Sequence, residues 1–190
     1  IAMNTADDLG NPGPDFIYGY GRVNARKALK VIQDTQFFSN NITTNDTLTY
    51  TISLPAGVNK FSAMLYWTDK EGSINASKAL VNNLDFEVTD LTGASTYQPW
   101  VLDPTPNTTT LLYGATRGLD TLNNAEQVTL NAPTSGDYRF TVYGTNIPQG
   151  PQTFYIVYAM DMEKNPIAFP HENAKLTPGA NYVRWNGATS

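Results

Sequence analysis

Between residues 37 and 162 apolar and polar side chains alternate with a period of two, in short runs rich in β-branched and aromatic residues. Gly, Pro and Asn separate the runs. This pattern predicts strands over residues 48–54, 60–67, 84–90, 96–102, 109–113, 126–130, 137–143 and 153–160, and it places Phe61, Ala63, Leu65 and Trp67 on one face. Runs spaced about ten residues apart, with no helical pattern between them, point to a mainly β chain. An antiparallel β-sandwich of jelly-roll type is the expected architecture.

Ahead of the strands the period changes. Residues 10–21 are rich in Gly, Pro and Asp, and residues 23–32 then carry Ala25, Ala28, Leu29, Val31 and Ile32 at helical spacing. Asn24 is placed to cap the start of that helix. A helix of about ten residues is marginal on its own, so its stripe, Ala28, Leu29 and Ile32, is expected to dock on the sandwich or on a neighbouring body. Beyond residue 162, Pro166 and Pro170 break the alternation, and a new strand-like run begins at Leu176. Three units are expected: residues 1–34, the sandwich at 35–163, and a further β segment at 164–190.

Composition narrows the function classes. Twelve Lys plus Arg against 17 Asp plus Glu give a net charge of -5, without the basic stripe that nucleic acid or an anionic membrane surface requires. The chain has no cysteine, which excludes disulfides, thiolate zinc sites and thiol catalysis. No apolar run reaches the roughly 18 residues of a membrane span. A hydrolytic Ser/His/Asp triad cannot be assembled, since the only histidine, His171, stands in a Pro-flanked stretch that reads as a linker. No catalytic residue is therefore assigned, and no cofactor motif is present; Gly19-Tyr20-Gly21 lacks the preceding strand and third glycine of a dinucleotide turn.

Two polar knots stand out. Asp69 closes one predicted strand, and Asn82, Asn83 and Asp85 open another, putting hard oxygen ligands where loops meet. Asp69, Asn83 and Asp85 are thus candidate ligands for calcium; the alternative is that they cap turns by bonding nearby backbone. Asn123, Asn124 and Glu126 form the second knot and are expected to satisfy loop backbone groups, while Asp120 suits either a metal or a turn. A different class of function, carbohydrate or surface binding, would use Tyr97, Trp100, Tyr113 and Tyr143, residues that serve equally well as ordinary strand packing.

The ordering of local patterns carries a resemblance. Asn4-Thr5-Ala6, the Gly/Pro loop and Tyr18-Gly19-Tyr20-Gly21-Arg22-Val23-Asn24-Ala25 resemble the closing segment of the peptidase domain in secreted bacterial subtilisin-like serine proteases. Behind it, Met64-Leu65-Tyr66-Trp67-Thr68-Asp69, Leu80-Val81-Asn82-Asn83-Leu84-Asp85, the Asn123 to Val128 strand entry and the Tyr143 to Gln152 hairpin resemble the jelly-roll that follows in longer members. Asn83 stands where the family turn has Asp, which removes one charge from any cation site. The stretch from Leu176 to Asn186, with Trp185, resembles the opening of an immunoglobulin-like domain.

The resemblance implies a non-catalytic C-terminal region of a serine endopeptidase, secreted or at the cell surface. Its sandwich would stabilise the catalytic domain or shape substrate access, and its partners would be its own upstream catalytic domain and the protein substrate of the parent. The Tyr-Gly-Tyr-Gly glycines would then permit tight packing against the enzyme body.

Overall fold

A computed structural model describes residues 1–162 in full, together with the backbone of two short paired strands beyond them, β11 (Ile167–Phe169) and β12 (Arg184–Trp185). His171 and most of the immunoglobulin-like stretch lie outside the described residues.

The helix forms where its cap predicts. In α1 (Ala25–Gln33) the Asn24 side chain accepts from the Lys27 amide at 3.0 Å, closing one of the free donors of the first turn. The strands follow as β1 (Phe37–Ile42), β2 (Thr47–Leu54), β3 (Val58–Trp67), β4 (Asn83–Asp90), β5 (Ser95–Tyr97), β6 (Trp100–Val101), β7 (Thr116–Arg117), β8 (Ala125–Asn131), β9 (Gly136–Asn146) and β10 (Gln152–Met162). Two four-stranded sheets result, ordered β1-β10-β3-β8 and β2-β9-β4-β5. Successive long strands alternate between the sheets, and every pairing within them is antiparallel, which is the winding of a jelly roll.

The core lies between the inner faces. Phe61, Ala63, Leu65 and Trp67 all point inward from β3 with no exposed surface, opposite Phe86 and Val88 of β4 and Phe140 and Val142 of β9. Phe61 stacks on Phe140 with ring centroids 6.2 Å apart, and Phe86 tilts against the same ring at 5.8 Å. Each such side chain withdrawn from water contributes about 1.5 to 3 kcal/mol.

Two expected strands differ in the structure. Residues 109–113 form a 3-10 turn (Thr110–Leu112), because the Asn107 side chain caps the Thr109 and Thr110 amides and commits the backbone to a turn. Residues 96–102 divide into β5 and β6, with Gln98 and Pro99 between them, since proline cannot donate to a ladder.

The segment ahead of β1 lies on the outer face of the first sheet. Asn4 is the staple: its Nδ2 donates to the Ser62 and Val157 carbonyls at 3.3 and 3.1 Å, its Oδ1 accepts from Gln127 Nε2, and its carbonyl accepts from Ser62 Oγ. Val31 buries itself against Val157 and Ala159 of β10, and Lys27 bridges Asp161 at 2.6 Å and Asp7 at 3.1 Å. Gly21, at φ +102, makes the bend that pairs Asp7 with Arg22; a Cβ there would sit 2.1 Å from the Asp7 carbonyl oxygen. The close approach permitted by this glycine is therefore to the segment's own backbone, and Gly19 has open space around it.

The helix docks by a different stripe from the one its spacing predicts. Val31 is buried and Ala28 half-buried, whereas Leu29 and Ile32 are 54% and 51% exposed. The small side chain of Ala159 and the Lys27–Asp161 pair turn the Val31 edge toward β10 and leave the Leu29 edge outside.

Candidate functional site

The two polar knots meet at one end of the sandwich, where β3, β4, β8 and the β9–β10 hairpin come together. Asp69, just past β3, accepts from the Val81 amide at 2.6 Å and from the Asn82 amide at 2.9 Å, which folds the loop back to the start of β4. Asn82 is wholly buried. Its Nδ2 donates to the Gln149 carbonyl at 3.1 Å and to Gln152 Oε1 at 2.8 Å, its Oδ1 accepts from the Gln149 amide, and its carbonyl accepts from Trp67 Nε1 at 3.0 Å. Both side chains are thus spent on holding loops, the turn-capping role of a buried polar side chain.

Asn83 and Asp85 behave differently. The Asn83 Oδ1 and Asp85 Oδ1 atoms are buried without a hydrogen-bond partner; Asp85 Oδ2 accepts from Thr145 Oγ1. Burial raises the Asp85 pKa, the Thr145 hydrogen bond opposes that, and the charges of Glu87 and Asp120 add to the rise. Of the three candidate ligands, then, the structure sets Asp69 apart and leaves free oxygens on Asn83 and Asp85.

Glu126 departs from its expected role. It has no exposed surface and points inward on the same side of β8 as Val128 and Leu130, yet neither of its oxygens bonds a loop amide. The Phe86 backbone N–H faces it without completing a hydrogen bond. Burial, then the Asp85 and Asp120 charges, push its pKa well above the usual carboxylate range. Its neighbours in the knot do satisfy loops: Asn124 Nδ2 donates to the Trp67 carbonyl at 2.7 Å, and Asp120 accepts from the Leu122 and Asn123 amides and from Asn123 Nδ2.

The aromatic residues of the sugar-binding alternative do not converge. The Trp100 ring has the Arg117 guanidinium 3.6 Å over its centroid, while Gly13 packs so closely on it that a Cβ would lie 2.8 Å away. Its Nε1 donates to Thr129 Oγ1, Tyr143 donates to Glu87, and Tyr113 stands exposed beside the 3-10 turn. Only Tyr97 lines an open cavity, of about 460 Å³, together with Arg117 and Tyr138.

Around the capped segment the electrostatics are local. Asp15 accepts from the Tyr18, Ile17 and Asn11 amides, and these bonds hold its carboxyl below the ordinary value of 3.8. A depressed carboxylate stabilises the fold above its unfolded pKa and loses that contribution as pH falls toward its folded one. Amide exchange at Ile17 and Tyr18 is therefore expected to speed up, relative to the sheet amides, as pH drops below about 4, and Asp15→Asn should remove this pH dependence. The turn carries Phe16, Ile17 and Tyr18 into solvent at its tip.

No protein-family model matches the chain. Over 110 residues, 54% of its length, it is 32% identical to the serine protease/ABC transporter B family protein tagD of Dictyostelium discoideum. Over 100 residues, 50% of its length, it is 35% identical to the serine protease/ABC transporter B family protein tagB of the same organism. These stretches amount to 6% and 5% of the two relatives' own lengths. Among solved structures, it is similar to the Aeromonas hydrophila periplasmic inhibitor of g-type lysozyme, PliG, at 16% identity and a TM-score of 0.32, covering 66% of this chain and 84% of that one. About half of this chain is thus related in sequence to a small part of long proteins named for a serine protease and a transporter.

Proposed function

We propose that this chain is the non-catalytic β-sandwich region of a subtilisin-like serine endopeptidase, and that its N-terminal segment seats the catalytic domain on the sandwich. The segment is stapled to the sheet on one side by Asn4, Val31 and Lys27, while Phe16, Ile17, Tyr18, Leu29 and Ile32 face solvent on others. That division of labour is the observation that carries the reading. A short helix anchored by one edge, with large apolar side chains left on another, has surface to offer a second body. The relatives' names support a protease as that body. Peptide-bond hydrolysis belongs to the parent protein, and the sandwich acts by holding its catalytic domain.

The test uses the longer polypeptide that contains the upstream residues. It should hydrolyse casein, and the pair Leu29→Asp and Ile32→Asp should shorten the thermal half-life of that activity by tenfold or more, the scale set by about 1.5 to 3 kcal/mol per apolar side chain denied its burial. In the 190-residue chain the same pair should cost only about 0.5 to 1 kcal/mol per site, from weaker helix propensity and a negative charge near the helix C-terminus, because both side chains are already half in water. No casein hydrolysis by the longer polypeptide, or equal damage to both proteins, would overturn the proposal.

A further inference from the structure

At a sheet edge the backbone still has hydrogen bonds to give, and proteins blunt such edges by shortening, covering or charging them. The two four-stranded sheets have four edges, and three of them are blunted among the described residues. β5 runs for only three residues. β8 is covered where the Arg117 guanidinium donates to the Thr129 carbonyl and Trp100 Nε1 to the Thr129 hydroxyl. On β1 the Asn40 side chain folds back to accept from the Asn41 amide at 2.8 Å. β2 carries no such guard. Its eight residues pair with β9 without a bulge, include no Pro or Gly, and lie in a stretch, Thr47 to Asn59, that has no charged side chain. Among the described residues no other strand and no loop backbone bond reaches its outer side.

We propose that β2 is a dimerisation edge, on which β2 of a second copy adds antiparallel and joins two four-stranded sheets into one. The strand's own symmetry names the occupant. A two-fold axis at Tyr50 sets Thr49 against Thr51, Leu48 against Ile52 and Thr47 against Ser53 of the other copy, so each residue meets one of its own kind. An interface between identical copies about a two-fold requires that self-complementarity; an edge that receives an unrelated peptide has no need of it. The Thr and Ser pairs fall on the exposed outer face, where hydroxyls bond across strands. Leu48, Tyr50 and Ile52 lean onto the core yet are only partly buried, and a neighbouring strand would cover the flank they leave open. Tyr50 is held in place there by the Phe38 ring, with centroids 4.6 Å apart, and by Asn40 Nδ2 at 2.8 Å. A slip of one residue would turn this apolar set against the Thr face, which fixes the register. One strand pair buries less than the ~1,200 Å² of a standard interface, so the dimer is weak, with a Kd of about 10 to 100 µM. The pairing requires no catalytic domain.

Sedimentation velocity of the 190-residue chain, from about 5 to 500 µM, should show the average mass climbing from monomer toward dimer. Thr49→Lys with Thr51→Lys sets like charges opposite each other across the axis and should weaken association at least tenfold. Both side chains are exposed, so circular dichroism should find the fold intact. Thr49→Glu with Thr51→Glu should also be monomeric alone, whereas an equimolar mixture of the lysine and glutamate chains should associate at least as tightly as wild type, because each lysine then faces a glutamate. Leu29→Asp with Ile32→Asp should dimerise like wild type. A chain that stays monomeric at the top of the concentration range overturns the proposal, even if it accepts an extended peptide on β2 instead. So does a dimer that survives the lysines or is lost with Leu29 and Ile32, which would put the contact elsewhere. A lysine and glutamate mixture that fails to associate overturns it as well.

Discussion

Trp67→Ala is expected to remove about 3 to 5 kcal/mol, a large share of a typical domain's stability. Among the described residues Trp67 is the largest wholly buried side chain, and it sits where β3 ends against the polar knot. Its ring packs in the main core cluster with Leu65, Leu84 and Phe154, so truncation leaves a cavity that rigid strands on both sides cannot close. Its Nε1 also donates to the Asn82 carbonyl, an acceptor that the variant strands in the interior. Urea unfolding followed by far-UV circular dichroism measures the loss. Trp67→Phe should retain most of the volume and lose only about 1 to 3 kcal/mol, the cost of the orphaned carbonyl together with a small cavity.

Asn82→Asp should be nearly as damaging at neutral pH, about 3 to 5 kcal/mol, although it changes only an NH2 for an oxygen. The wild-type Nδ2 donates to two oxygens, the Gln149 carbonyl and Gln152 Oε1; an aspartate would turn a bare acceptor and a full charge toward them with no exposed surface. The sign with pH follows. Such a carboxyl has a folded pKa raised above its unfolded value, so the penalty is absent below about 3.9 and grows as pH rises above it. Stability of the variant relative to wild type should therefore recover on acidification, the reverse of the Asp15 turn. A pH-independent loss would mean that packing, and not the charge, makes Asn82 indispensable.

Much of the fold was legible because alternation is strict wherever one face of a strand is buried. Phe61, Ala63, Leu65 and Trp67 lined up as read, and Asn24 capped the helix at the expected place. β1 escaped notice because it is an edge strand with Ile42 as its only buried residue, which leaves polar Ser39, Asn40 and Asn41 to hide the period. The helix's docking edge was hidden for another reason. Spacing says that α1 has an apolar side, but the choice between Val31 and Leu29 is made by β10, through Val157, Ala159 and Asp161.

The candidate site was half legible. Oxygen-rich loops drew attention to Asp69, Asn83 and Asp85, yet sequence does not reveal that Asp69 spends both oxygens on the Val81 and Asn82 amides. Glu126 carried a readable signal: it shares parity with Val128 and Leu130 in a half-buried strand, so the alternation itself places a carboxylate inside. Asn4 carried none, because it lies in an irregular stretch where no period exists to mark it as buried.

A fluorophosphonate probe, which labels activated serines, gives the most direct test that the chain serves a serine endopeptidase without being one. Applied side by side to the longer polypeptide and to the 190-residue chain, it should label a serine upstream of Ile1 in the former and nothing in the latter. Labelling within residues 1–190, or an unlabelled longer polypeptide, would contradict it.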